Sequence, residues 1–175
     1  MKKIAITGVE STGKTALTIS LARDYACNYV NEHARFHLST INNVCTEETV
    51  ETIAKKQIKI WNNKWQKLQK TDNPYLFCDT DFINFKIWFE FNHWRVPDFI
   101  EENLRKPFFD FHLLLATDVA WEADGIRKNK DDRLILHQLF IENLEKYQLP
   151  YALVVGKGEE RLINAKKALE AYFAK

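Results

Sequence analysis

The sequence has little glycine, proline or cysteine and almost no net charge, and each shortage excludes a class of protein. Five glycines and four prolines among 175 residues are too few for a disordered or fibrous chain. Lys and Arg number 25 and Asp and Glu 24, so the formal net charge is only +1. A general nucleic-acid-binding protein carries a basic surface that this balance does not provide. We therefore expect a folded domain without a nucleic-acid partner.

The cysteines and the hydrophobic runs indicate a protein of the cytoplasm. Cys27, Cys45 and Cys78 are widely spaced and odd in number, which fits neither a disulfide framework nor a zinc knuckle. The apolar stretch that follows Met1 is too short for a signal peptide, and no run reaches transmembrane length. We expect reduced thiols, a cytoplasmic location and no membrane partner. The sequence does not indicate an oligomeric state.

The remaining pattern is that of one α/β domain covering residues 1–175. Five apolar, strand-like runs alternate with segments that have helical periodicity. The runs are residues 2–7, 28–31, 75–79, 111–115 and 151–155. This alternation predicts three layers, with a five-stranded parallel sheet flanked by helices.

One motif carries recognisable chemistry and lies between the first predicted strand and the first predicted helix. It reads Gly8-Val9-Glu10-Ser11-Thr12-Gly13-Lys14-Thr15, the G-x-x-x-x-G-K-T pattern of a phosphate-binding loop (P-loop). Its glycines permit the tight turn that points backbone N–H groups at phosphate oxygens. The lysine reaches the β- and γ-phosphates, and the final hydroxyl joins the shell of a Mg²⁺ ion. The predicted nucleotide-binding residues of this loop are Gly8, Glu10, Ser11, Thr12, Gly13, Lys14 and Thr15.

Two carboxylates near the end of the third predicted strand help to define the reaction, which a P-loop alone does not. Asp79 ends the apolar run and is placed to hold Mg²⁺ together with Thr15. A helix N-cap is the competing role, and Asp81 makes that role available for one of the two. We predict that Asp79 serves the metal, that Asp81 faces the substrate, and that both are catalytic, since either one could orient the attacking hydroxyl.

A polar, glycine-containing stretch at about residues 121–133 is a candidate lid. Arg127 and Arg133 within it suit closure over the phosphates, where arginine neutralises the charge that develops on transfer. Composition alone supports a solvated run of charges equally well. Under the lid hypothesis both arginines are catalytic, and Arg127 also contacts the nucleotide.

The tryptophans fall into two groups. Trp61 and Trp65 have helical spacing and are predicted to be core residues. The aromatic residues between Trp88 and Trp94 are denser than one buried face requires, so one or more of them could line a pocket for a flat base.

Several segments, taken in order, resemble the ribosylnicotinamide kinase domain of the NAD-biosynthesis regulator NadR and its stand-alone relatives. They span nearly the whole chain. The segments are residues 8–15, Asn31-Glu32-His33-Ala34-Arg35, Ile53-Ala54-x-x-Gln57, Cys78-Asp79-Thr80-Asp81, Lys86-Ile87-Trp88, Trp121-x-x-Asp124-Gly125-x-Arg127 and Pro150-Tyr151 with Val155-Gly156.

The resemblance implies an ATP- and Mg²⁺-dependent kinase with a fold like that of nucleoside monophosphate kinases. Its implied reaction is phosphorylation of the 5′-hydroxyl of nicotinamide riboside to give nicotinamide mononucleotide. By position in the motifs, Trp88 would stack on the nicotinamide ring. The other residues implied near substrate are Glu32, Arg35, Asp81 and Trp121, and Gly156 is implied near ATP.

Two other functions remain open at this point. Side-chain geometry sets the identity of the base, so the acceptor could be another small nucleoside or nucleotide. The P-loop could also belong to a regulator that binds ATP or GTP without transferring phosphate, although such a protein does not need the paired carboxylates and the lid arginines.

Overall fold

The computed structural model describes residues 1–40, 45–69, 71–119 and 132–174, which form one parallel sheet with helices on both faces. The strands are β1 Lys2–Thr7, β2 Asn28–Val30, β3 Tyr75–Asp79, β4 Phe111–Leu115 and β5 Tyr151–Val154. The helices are α1 Lys14–Asp24, α2 His33–Thr40, α3 Glu47–Leu68, α4 Phe82–Phe91, α5 Asp98–Arg105, α6 Arg133–Lys146 and α7 Gly158–Phe173.

The order of the strands places β1 at the centre of the sheet. All neighbours pair in parallel, in the order β2-β3-β1-β4-β5. Ile6 of β1 is in register with Asp79 of β3, and Thr7 of β1 is in register with Leu114 of β4. The loop that follows β1 therefore emerges between the carboxyl ends of two neighbouring strands, where open α/β sheets bind their ligands.

Alternate residues of β1 enter two separate cores, as expected for a strand that is covered on both faces. Ile4 and Ile6 pack with buried residues of α1 and α7, whereas Ala5 belongs to the core formed with α3, α4, α5 and α6. The second core is rich in aromatic rings. Trp61 is fully buried there and meets Phe82 and Phe109 edge to face, so the sequence-based prediction that it is a core residue is confirmed.

The long helix α3 begins at Glu47, and Thr46 is its N-cap, with a side-chain oxygen that accepts from Thr49 N–H at 3.2 Å. Beyond its last turn, the Thr71 N–H donates to the Leu68 carbonyl at 2.9 Å. Within the described residues, none of the helices has the length and apolarity that crossing a membrane requires.

Candidate active site

The P-loop takes its shape from two glycines with positive φ. Gly8 has a φ of 127°, and a Cβ atom at this position would lie 3.1 Å from the Leu115 carbonyl oxygen of β4. Gly13 has a φ of 85° and is the N-cap of α1. A side chain at either position would force a strained backbone. The two fixed glycines of the motif are thus explained by the turn and by the close approach to β4.

Side chains of the loop close it on itself. The Lys14 ammonium donates to the Gly8 carbonyl at 2.8 Å and to the Val9 carbonyl at 3.0 Å. The buried Thr12 hydroxyl also donates to the Val9 carbonyl, at 2.7 Å. The lysine charge is therefore held at the loop, beside the N-terminus of α1, which is itself a favourable place for an anion.

The sheet brings together the two residues predicted to serve a metal. The Thr15 hydroxyl donates to the Asp79 carboxylate at 2.6 Å, across 64 residues of sequence. A hydroxyl and a carboxylate are hard oxygen donors, which suit Mg²⁺. Among the residues that the structure describes, no three His, Cys, Asp or Glu side chains form a metal-binding cluster. Mg²⁺ usually takes one or two protein ligands and completes its shell with phosphates and water.

A left-handed residue separates the two predicted carboxylates. Thr80 has a φ of 82°, which is rare for a β-branched residue and costs about 1–3 kcal/mol. Its N–H donates to the Ile6 carbonyl at 3.0 Å, so β1 fixes this turn. Backbone strain of this kind clusters at functional sites. Asp79 ends β3 and Asp81 precedes α4, so the two carboxylates have different surroundings.

Asp81 is fully buried and is the N-cap of α4, since its carboxylate accepts from Asn84 N–H at 2.9 Å. The structure thus gives Asp81 the capping role that the sequence left open between the two carboxylates, while Asp79 contacts the P-loop. The expectation that Asp81 also faces the substrate stays a prediction.

Asp81 lies beside a buried histidine that sequence reasoning did not select. His112 Nε2 is 3.7 Å from the second carboxylate oxygen, and His112 Nδ1 is 3.3 Å from the Pro150 carbonyl. Burial lowers the pKa of His112, against the opposing effect of Asp81. Burial raises the pKa of Asp81, and His112 and the Asn84 N–H oppose that rise. The sequence feature that could have identified His112 is the presence of a histidine inside the apolar run of β4.

On the β2 side of the site, a glutamine of α3 holds the segment that the NadR resemblance places near substrate. Gln57 is fully buried; its carbonyl accepts from His33 N–H at 2.6 Å and its amide donates to the Asn31 carbonyl at 3.2 Å. These bonds fix the backbone on both sides of Glu32, which is half-buried. Arg35 lies in the first turns of α2.

Arg161 and Asp118 were not selected from the sequence, yet they connect three loops at the nucleotide end. The Arg161 guanidinium donates to the Thr12 carbonyl of the P-loop and to the Asp118 carboxylate. The other Asp118 oxygen accepts from Gly156 N–H at 2.7 Å. Gly156, predicted near ATP, is therefore linked to the P-loop through two side chains.

Of the remaining predicted site residues, the structure describes some and not others. Trp88 lies on α4 and packs in part against the aromatic core. Arg133 begins α6 and donates to the Val119 carbonyl at 2.9 Å. Trp121, Arg127 and the rest of the predicted lid up to residue 131 lie outside the described residues.

A profile of the AAA domain family matches residues 3–161, from β1 to the arginine that contacts the P-loop. The chain belongs to this family. The match covers every element that forms the site, including the P-loop, the end of β3 and the turn at Gly156.

The relatives of this AAA domain include NadR, which confirms the resemblance noted in the sequence. "Trifunctional NAD biosynthesis/regulator protein NadR" of Escherichia coli (strain K12) is 26% identical over 160 residues, 88% of this chain and 38% of that protein. The Salmonella typhimurium protein of the same name is 25% identical over 161 residues, with the same coverage. The chain therefore spans 38% of the length of these relatives.

Solved structures confirm the predicted fold, a five-stranded parallel sheet flanked by helices in the manner of P-loop proteins. NadR in complex with NR has a TM-score of 0.78 and 18% identity, over 99% of this chain and 51% of the other. Thymidylate kinase from Ehrlichia chaffeensis has a TM-score of 0.63 and 11% identity, over 98% of both chains. The central parallel sheet and its flanking helices are shared features of these neighbours.

Proposed function

We propose that this AAA domain is an ATP-dependent kinase that phosphorylates the 5′-hydroxyl of nicotinamide riboside. The observation that carries the kinase proposal is the hydrogen bond of Thr15 with Asp79, beside the Lys14 ammonium. It unites a phosphate-binding loop with a carboxylate at the end of the neighbouring strand. The likeness to NadR supports the choice of acceptor, because NadR has been solved with NR and also with NAD and AMP-PNP.

The proposed reaction requires little covalent chemistry from the protein. The acceptor hydroxyl oxygen forms a bond to the γ-phosphorus, the bond from that phosphorus to the bridging oxygen of ADP breaks, and the hydroxyl proton is released. The backbone N–H groups of the P-loop orient the phosphates, and Lys14 neutralises charge that builds up during transfer. In this proposal Arg127 and Arg133 complete that neutralisation from the lid.

Thr15 and Asp79 are the residues that would hold Mg²⁺, because they offer two hard oxygen donors at the mouth of the P-loop. When bound, the ion supplies positive charge next to the phosphate oxygens. Asp79 is also our candidate for orienting the acceptor hydroxyl, with Asp81 as the second carboxylate nearby. Glu32, Arg35, Trp88 and Trp121 are the proposed contacts of the nucleoside.

An ADP-release assay across a panel of acceptors tests this function. Nicotinamide riboside should give the largest kcat/KM with ATP as donor, compared with adenosine, cytidine, uridine, thymidine and thymidine monophosphate. The same panel with GTP as donor would establish the choice of nucleotide. A strong response to another acceptor without one to nicotinamide riboside would replace the acceptor and keep the kinase. ADP release that no acceptor increases would overturn the kinase itself.

A further inference from the structure

Arg161 is a buried cation in the first turns of α7, with 4% of its surface exposed. Arginine is almost never fully buried unless it is paired. Here its guanidinium donates to the Thr12 carbonyl, to the Asp118 carboxylate and, at 3.4 Å, to the Ala116 carbonyl. Its partners thus come from the P-loop and from the chain that follows β4.

The contact of Arg161 with the Thr12 carbonyl determines the orientation of the peptide group between Thr12 and Gly13. The carbonyl of Thr12 and the N–H of Gly13 belong to the same peptide plane and point in opposite directions, because the described residues contain no cis peptide bond. A donor that holds the carbonyl on one side of the loop therefore aims the Gly13 N–H at the other side. Arg161 lies directly against this peptide, since a Cβ on Gly13 would be 3.7 Å from its Nη1 atom.

We propose that Arg161 is a positioning residue for nucleotide binding: by holding the Thr12 carbonyl, it aims the Gly13 N–H into the phosphate cradle. Fixed N–H donors bind a phosphate more tightly than donors that must first be ordered, because no ordering cost is left at the time of binding. The proposal rests on the nucleotide binding of the proposed function and is independent of the acceptor.

Asp118 holds the arginine in this position. One carboxylate oxygen accepts from Arg161 and the other accepts from Gly156 N–H, so Asp118 spans the chain after β4 and the turn after β5. Arginine can bond to the carbonyl and to the carboxylate at once because its planar guanidinium carries five N–H donors in fixed directions. A lysine ammonium at the same position keeps the charge but lacks this fork.

The test is the affinity for ADP and for inorganic pyrophosphate of the Arg161→Met protein, measured by calorimetry. Both affinities should fall by roughly tenfold and by the same factor, because the Gly13 N–H that is no longer fixed contacts the phosphates, which both ligands have. Arg161→Lys should recover only part of the loss. The matched control is Lys167→Met, which removes an exposed cation from the same helix and should change either affinity by less than about twofold.

Thermal unfolding of each ligand-free variant separates positioning from stability. If Arg161→Met lowers Tm but the folded protein binds ADP and pyrophosphate as the parent does, Arg161 is structural and the proposal is overturned. Should that variant not fold, Asp118→Asn decides, because it removes the charge that orients the guanidinium and leaves one oxygen to accept from Arg161 or from Gly156 N–H. We expect a loss of about threefold in both affinities for this variant, and unchanged affinities would equally overturn the proposal.

Discussion

The nucleotide side of this site and its proposed acceptor side are built in different ways. The nucleotide side is a continuous loop, residues 8–15, whose backbone and one lysine provide most of what a phosphate needs. The acceptor side joins β2 and α2 to a glutamine of α3, 24 residues away from His33. Phosphate is the same in every nucleotide, so a compact motif can bind it. In our proposal the acceptor is a nucleoside that must be distinguished from others, and that task falls to side chains from distant elements.

The largest effect should come from the nucleotide side, at Lys14. Lys14→Ala removes the only charged side chain of the P-loop that can pair with the phosphates, and we expect kcat/KM to fall by roughly 10²–10³-fold. The coupled release of ADP measures this loss. Lys67→Ala, an exposed lysine on α3, is the matched control and should keep the activity of the parent. Normal turnover in the Lys14 variant would contradict the mechanism.

The next largest loss of activity should come from the two carboxylates that flank Thr80. Substituting each of them in turn tests whether their roles differ. Asp79→Asn weakens the pairing with Thr15 and the proposed metal site, so we expect a loss of roughly 10²-fold in kcat. Asp81→Asn keeps the shape and the N-cap bond, since asparagine caps helices as well as aspartate does.

Steady-state kinetics and thermal unfolding of these two variants should therefore diverge. For Asp81→Asn we expect a smaller loss of kcat than for Asp79→Asn, and a change in the free energy of unfolding below about 1 kcal/mol. Equal losses of kcat in both variants, with both proteins folded, would show instead that Asp81 contributes to the reaction as much as Asp79 does.

A smaller effect is expected on the acceptor side, at Gln57. Gln57→Leu leaves the Asn31 carbonyl and the His33 N–H without their partner, which should lower the free energy of unfolding by about 1–3 kcal/mol. Because these bonds fix the backbone around Glu32, the KM for the acceptor should rise several-fold while the KM for ATP stays constant. Gln66→Leu, exposed on the same helix, is the control. A parallel rise in both KM values would mean that the two sides are not independent.

The smallest effect is a pH dependence of stability from His112. Its folded pKa lies below the ordinary value because burial disfavours the charged ring, so the unfolded chain binds a proton more readily. Stability from this group is present above about pH 6.5, the ordinary pKa of histidine, and is lost as the pH falls. His33 and His137 have pKa values lowered in the same direction by burial.

Replacing His112 with Gln should therefore flatten the decline of Tm between pH 7 and pH 5 without abolishing it. The comparison is made against the parent protein in the same buffers, with Tm from thermal unfolding as the readout. An unchanged slope would indicate that His112 does not change its protonation on unfolding in this range.

The sequence predicts the sheet and the P-loop because both depend on short-range patterns. Apolar runs of strand length and the glycine spacing are visible without knowledge of the fold. The respective roles of Asp79 and Asp81 are not visible in the sequence, since they depend on the left-handed backbone of Thr80, which a β-branched residue rarely adopts. Arg161 could not be selected either, because its partner Thr12 lies 149 residues away. Which distant side chain meets the loop is decided by packing alone.

The central position of β1 has a consequence for how the protein is made. This strand comes first along the chain, yet its neighbours β3 and β4 end only at residues 79 and 115. At about 5–20 residues per second, a ribosome needs several seconds to deliver both partners. The nucleotide loop is synthesised well before Arg161, which follows Thr12 by 149 residues. A chain stalled before that point would hold a P-loop sequence without its supporting arginine.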